Sequence, residues 1–315
     1  MTMKSLFVMD PIEVLNLDGD STFLVMKELT RRKQQVSYTT VERLYARDGV
    51  GRAGVITVRV VDETPFFEKL SERDCALDDF DVVWMRKDPP FDMSYIQATY
   101  ILDMAKTALV VNDPIGLKLF NEKIWAMRFP ALHPPTLFTS DAEKLRDFAQ
   151  EYGKIVLKPW DGNGGRGVLV AAAKDRNLNS MIDLLTNEGT QPIIAQPFLE
   201  GISNGDMRVL LFDGEPVGAM LRIPGESDYR GNMHVGASVA ACELSERDQY
   251  ICDVLKPELK KWGQLFVGID IIDGFLTEIN VTSPTGIVEI NQLYGTSLEK
   301  DLVNIVEKRW QHKGG

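Results

Sequence analysis

Cysteine and histidine are scarce in this chain, with three of each in 315 residues. Cys75, Cys242 and Cys252 are odd in number and lack metal-ligand spacing, so no disulfide framework or thiolate site is expected. His133, His234 and His312 are scattered, which argues against zinc and against a histidine-based triad. A basic excess is also missing. The net charge of −11 leaves nothing to neutralise a phosphate backbone, so nucleic acid is not an expected partner. No apolar stretch approaches membrane-spanning length. The N-terminal run Leu6-Phe7-Val8-Met9 is too short for a signal peptide and is soon followed by Pro11. There are no internal repeats and no low-complexity tract. The expectation is a cytoplasmic enzyme or binding protein, large enough for one large or two to three small domains.

What is present begins with alternating strand and helix signals. Leu6 to Met9, Gln35 to Thr39, Asp81 to Arg86 and Leu109 to Asn112 read as strands. Ser21 to Arg32, with a cap signal at Ser21, and Tyr95 to Lys106 read as helices. This is the pattern of an open α/β sheet, in which ligands gather beyond the carboxyl ends of the strands. Asp10 and Arg86 stand at such ends and are candidates for substrate contact. After about Asn121 the pattern becomes α+β, with helices over 141–151 and 178–186 between strands. A hairpin turning at Asp213-Gly214 comes next, then an aperiodic stretch from Pro224 to Ser238, then helices over 246–261 and 297–311.

The run Gly268 to Thr285 places Asp270, Glu278 and Asn280 in a β-hairpin that is otherwise apolar or turn-forming. Glu278 and Asn280 are two apart and share a face. Oxygen donors so arranged suit Mg²⁺, and a solvated hairpin face is the plainer alternative. With a two-residue Asp273-Gly274 loop, Asp270 would oppose Thr277 and face away from Glu278. A three-residue loop ending at Phe275 would set Asp270 across from Glu278, so an odd-length loop is expected.

Lys158 stands on a strand that feeds Asp161-Gly162-Asn163-Gly164-Gly165-Arg166-Gly167, where Gly162, Gly164, Gly165 and Gly167 let backbone N–H groups approach an anion. No Gly-Lys-Ser/Thr comes after it and the next element is a strand, so neither a Walker loop nor a dinucleotide fingerprint fits. A plain flexible turn remains the alternative. With Lys123, Lys158 and the Asp270–Glu278–Asn280 hairpin, the parts needed to hold a triphosphate and its metal are all present. The stretch Ile194 to Leu199 offers an apolar slot for adenine.

Taken in order, Met9-Asp10-Pro11, Met85 to Asp92, Ala98 to Leu102, Asn121-Glu122-Lys123, Lys158-Pro159, Gly205-Asp206, Arg208-Val209-Leu210, Arg222-Ile223-Pro224, Arg230-Gly231-Asn232 and Thr277 to Thr285 resemble the ATP-grasp superfamily and, within it, the bacterial glutathione synthetases. The resemblance spans nearly the whole chain. It implies an ATP-grasp fold of mixed α/β and α+β class: an N-terminal open α/β domain over 1–121, a central lid over 122–199, and a C-terminal nucleotide and metal domain over 200–315. It implies ligation of γ-glutamylcysteine to glycine through an acyl phosphate, with ADP and phosphate as products and Mg²⁺ or Mn²⁺ as cofactor. Carried over by position, Lys123 and Lys158 bind phosphates, Gly162 to Gly167 form a flap, and Phe198 and Leu199 contact adenine near Asp206. Arg208 acts at the transferring group, Arg222 is counted with it as catalytic while also gripping the peptide, and Arg86, Arg230, Ser283 and Thr285 grip the peptide. The family tendency is a homo-oligomer, often a tetramer. Where relatives often close the 224–238 loop with Gly-Gly-Arg, this chain reads Gly236-Ala237-Ser238, with His234 expected to be solvated. Two other readings stay open: an ATP-grasp ligase with a different acceptor, and a non-catalytic nucleotide-binding module.

Overall fold

The computed structural model describes residues 2–15, 19–61, 64–225 and 238–313. The described strands form three sheets. The first holds β1 (Lys4–Val8), β2 (Gln35–Thr39), β3 (Leu44–Arg47), β4 (Val50–Val60), β5 (Phe67–Ala76), β6 (Val82–Met85) and β7 (Leu109–Val111). Its central pairs, β2–β1, β1–β6 and β6–β7, are parallel, as the alternating pattern requires. The antiparallel strands β3, β4 and β5 extend it on one side. Helix α1 (Ser21–Arg31) buries Phe23, Met26 and Leu29, and α2 (Met93–Leu102) and α3 (Pro114–Leu119) come after β6 and β7. The cap of α1 is one residue earlier than expected. The Asp20 carboxylate accepts from Phe23 N at 2.7 Å, because the Ser21 hydroxyl is taken by Gly286 N and Ile287 N, each at 3.3 Å.

The second sheet holds β8 (Leu137–Thr139), β9 (Lys154–Pro159), β10 (Leu169–Ala172) and β11 (Ile193–Pro197) in the order β10-β9-β11-β8, all antiparallel. Helices α4 (Ala142–Tyr152) and α5 (Leu178–Thr186) accompany it. Its core is its own: Leu145, Ile155, Leu157, Ile182, Ile193 and neighbours. Period-two alternation along β9 sends Ile155 and Leu157 into that core and turns Val156 and Lys158 to the other face.

The third sheet runs β14 (Ser238–Ala241), β13 (Glu215–Ile223), β12 (Asp206–Phe212), β15 (Phe266–Ile272), β16 (Phe275–Asn280), again antiparallel. Helices α6 (Glu246–Lys261), α7 (Ile287–Tyr294) and α8 (Leu298–Lys313) complete the chain. Unlike the second sheet, it shares its cores with the first. Leu6, Val8 and Met85 belong with Val209, Leu211 and Ile269, and Met3, Phe7 and Trp84 with Phe212, Phe266 and Leu302. Helix α8 packs against α1 and β7, with Arg32 on Glu307 at 2.8 Å and Lys313 Nζ donating to Ala108 O at 2.7 Å.

Candidate active site

One face of the third sheet is apolar at Leu210, Phe212 and Phe266 and turns polar toward the other end of the same strands. There Arg208 on β12 pairs with Asp270 on β15, and Asp270 with Glu278 on β16. Asn280, two residues on, donates from Nδ2 to Asp270 Oδ2 at 3.1 Å. The three expected metal ligands therefore share one face, but the loop that brings them there differs from the expectation. The turn is the two-residue Asp273-Gly274, with Ile272 paired to Phe275, not an odd-length loop. The register shifts between Asp270 and Ile271, leaving Thr277 as an extra residue in β16. That bulge, held by Thr277 Oγ1 donating to Asp270 O at 3.1 Å, does what the longer loop was expected to do.

Asp270 is gripped by two arginines. Arg208 donates from Nε and Nη2 at 2.5 and 2.9 Å, and Arg222 Nη2 lies 3.0 Å from Oδ1. Burial alone would raise the Asp270 pKa, yet these two guanidinium groups hold it well below the usual carboxylate range. Arg222 also pairs with Asp206 at 2.5 Å. Burial pushes Asp206 up to about 7 despite that partner. Gly268 makes room for this arrangement, since a Cβ there would lie 3.2 Å from Arg208 Cδ and 3.3 Å from Pro284 Cβ.

Facing this end of the sheet across a cleft of about 960 Å³ are the residues of the second sheet and its loop. Lys123 Nζ donates to Gly162 O at 2.5 Å and lies 3.4 Å from Glu278 Oε1. Burial disfavours its charge, but Glu278 and Glu122 outweigh that and raise its pKa. Lys158 is buried too, and desolvation brings it down to about 8. Gly162, Gly164 and Gly165 line the cleft. Gly167 has φ +72, and a Cβ there would meet Pro159 Cγ at 2.8 Å. Phe198 and Leu199 line the same cleft beyond β11, with Lys154 Nζ 3.5 Å from the Phe198 ring centroid.

Ser283 and Thr285 lie at the cleft wall, as does Asp10, which forms an ion pair with Lys87 at 3.0 Å. Arg86 is placed differently. It is buried behind the wall, donating from Nε to Thr22 Oγ1 at 2.9 Å and from Nη2 to Pro284 O at 2.8 Å. Arg230, His234 and the Gly236-Ala237 loop end lie outside the described residues.

Sequence reading gave no site role to Asp20, Glu122 or Glu289, all of which line the cleft. The available signal for Glu289 was a single charge in an apolar setting, Gly-Ile-Val-Glu-Ile, and for Glu122 its place beside Lys123 in the Asn-Glu-Lys triplet. Among the described residues no three His, Cys, Asp or Glu side chains gather to hold a metal. The Asp270–Glu278–Asn280 set has two carboxylates and an amide, hard oxygen donors that suit Mg²⁺ or Mn²⁺ with phosphate oxygens completing the shell. No described helix is long and apolar enough to cross a membrane.

Comparison with known proteins gives the family. Residues 3–118 match the family model described as prokaryotic glutathione synthetase, N-terminal domain, and residues 122–295 the one described as its ATP-grasp domain. The glutathione synthetase of Pseudomonas syringae pv. tomato is 43% identical over 319 residues, covering 100% of both chains. That of Thermosynechococcus vestitus is 42% identical over 313 residues, covering 96% of this chain and 98% of the relative. Among solved structures, a D-cycloserine synthetase superposes with a TM-score of 0.67 at 16% identity, covering 96% of this chain and 99% of that one, a likeness of fold alone.

Proposed function

The chain belongs to the prokaryotic glutathione synthetase family, and from that membership we propose how its cleft divides the work of the reaction. The reaction itself is the ATP-dependent ligation that forms glutathione, and the fold is ATP-grasp. The substrates in this reading are γ-glutamylcysteine, glycine and ATP. Lys123 and Lys158 bind the ATP phosphates, the Gly162–Gly167 loop covers them, and Phe198, Leu199 and Asp206 bound the nucleotide. Asp270, Glu278 and Asn280 hold Mg²⁺ or Mn²⁺, which when bound neutralises charge on the phosphate oxygens. Residues 122–199 act as the lid, between working units 1–121 and 200–315.

The cysteinyl carboxylate attacks the γ-phosphorus, the bond to the bridging oxygen breaks and ADP leaves. The neutral amine of glycine then attacks the acyl carbon. The carbon–oxygen bond to phosphate breaks, and the nitrogen gives up a proton as inorganic phosphate departs. Such chemistry needs positioning, fixed positive charge and exclusion of water more than a strong acid or base. Arg208 and Arg222 supply the fixed charge. Ser283, Thr285 and Arg230 contact the peptide, while Arg86 supports that end through Thr22 and Pro284.

The observation that carries this reading is the convergence of two buried lysines from the lid side with the Asp270–Glu278–Asn280 face on one cleft. It is tested by ADP release with ATP, Mg²⁺, γ-glutamylcysteine and glycine, each omitted in turn. Turnover that needs all four is expected. ADP formed only with other acceptors would discard the substrate assignment, and none at all despite nucleotide binding would leave a binding module. A homo-oligomer, tetrameric by family tendency, belongs to the same proposal and is checked by light scattering.

A further inference from the structure

In the triplet Asn121-Glu122-Lys123 two residues have visible tasks. The Asn121 side chain accepts from Lys123 N at 3.2 Å and Ile124 N at 3.0 Å, and Lys123 reaches the cleft. Glu122 has no part in the reaction as read, yet it is a buried carboxylate in the wall of the cleft. Burying such a group is costly unless its oxygens are well used. Desolvation indeed raises its pKa, against the pull of Lys123 and the hydrogen bond from Thr282.

Its bonds run to one short segment. The Glu122 carbonyl accepts from Ile279 N at 2.8 Å. Its carboxylate accepts from Thr282 Oγ1 at 2.7 Å and from Thr282 N at 3.4 Å. These two grips bracket Asn280 and Val281. The bracket falls where the sheet stops helping: the β15–β16 ladder begins at Gly268 paired with Asn280, and no pair lies beyond it. Asn112 joins in by donating to Val281 O at 2.9 Å, and Asn280 Nδ2 donates to Asp270 Oδ2 at 3.1 Å.

We propose that Glu122 is a positioning residue that clamps the end of β16, so that Asn280 and the adjacent Lys123 keep a fixed separation across the metal and phosphate end of the cleft. The inference rests on the assignment of Asn280 to the metal and Lys123 to phosphate. Its logic is that of an outer-shell partner: the group touches no reacting atom, but it sets where one donor stands.

The test compares wild type with Glu122→Ala, Glu122→Gln and Thr282→Val. Binding of Mn²⁺ in the presence of ADP is read from the resonance of free Mn²⁺, alongside KM values for ATP, peptide and glycine and the melting temperature. Loss of the carboxylate grip in Glu122→Ala should weaken Mn²⁺·ADP binding about tenfold or more. KM for ATP should rise while those for peptide and glycine stay within about twofold. Glu122→Gln keeps an acceptor for Thr282 and should recover most of the affinity. Thr282→Val should behave like Glu122→Ala, and a protein carrying both Glu122→Ala and Thr282→Val should be no worse than either alone.

A Glu122→Ala protein that melts lower but binds Mn²⁺·ADP like wild type would overturn the proposal, leaving a merely structural carboxylate. Glu122→Gln as poor as Glu122→Ala would also overturn it, since charge and not the grip would then matter. Should Glu122→Ala fail to fold, Glu122→Gln and the nearly isosteric Thr282→Val carry the test. Because Mn²⁺·ADP binding is read without any acceptor, a wrong acceptor assignment in the ADP-release assay stays distinguishable from a wrong clamp.

Discussion

A lysine ammonium held inside the protein gives up its proton earlier than one in water, and at Lys158 this bears directly on ligand binding. Burial brings it down to about 8. The charged form is the one that attracts phosphate, so affinity for ADP should fall as pH rises through about 8. Lys158→Arg keeps its charge over this range and should abolish the decline. Calorimetric titration of both proteins on either side of pH 8 checks this, and a decline that persists in Lys158→Arg would point to another group. Tyr95 makes a second prediction at this scale. Its hydroxyl is buried without a hydrogen-bond partner among the described residues, and the charges of Glu122 and Arg86 both act on it. An unsatisfied buried hydroxyl costs about 1–3 kcal/mol, so Tyr95→Phe should be neutral or stabilising by about 1 kcal/mol in urea unfolding. A loss of stability would reveal a hydrogen bond at that hydroxyl.

Within elements, the hairpin from Phe266 to Asn280 shows both the reach and the limit of pattern reading. Period-two alternation places Glu278 and Asn280 on one face from sequence alone. Whether Asp270 joins them depends on a bulge at Thr277, and a bulge has no periodic signature. Strand β5, missed in sequence reading along with β3 and β4, escaped for a related reason. Residues 68–74 of β5 are exposed on both faces, so no alternation marks them. Asn112, at the end of β7, carries the prediction at this scale. Its side chain donates to Phe266 O at 2.7 Å and Val281 O at 2.9 Å, and accepts from Leu265 N and Phe266 N at 2.8 Å each. One amide thereby stitches the first sheet to the third. Asn112→Ala strands four buried backbone groups and should cost about 3 kcal/mol or more in urea unfolding. A cost below about 1 kcal/mol would mean that the seam relaxes without it.

For the whole molecule, the decisive feature is which sheets share a core. The first and third are joined through common clusters and through α8, while the second keeps its apolar residues to itself. A body with its own core and few buried ties can open without disturbing the rest. Hydrogen exchange should therefore find amides of β8 to β11 exchanging by a separate opening, slowed by Mg²⁺·ADP, while the central strands of the other two sheets exchange together. A single common opening across all three sheets would contradict this division.

The chemical inventory and its order are legible along the chain: two lysines, a glycine loop, an Asp-Glu-Asn hairpin and the family to which that order belongs. These are short strings whose facing is set by local backbone geometry, as when alternation along β9 turns Lys158 away from Leu157. Which side chains meet was settled only when the sheets packed. Arg208 lies on Asp270, 62 residues away. Glu122 holds Thr282, 160 residues away, and Arg86 spends its fork on Thr22 and Pro284 behind the cleft wall. Strand order and a single bulge set those meetings, and neither leaves a trace in the spacing of residues along the chain.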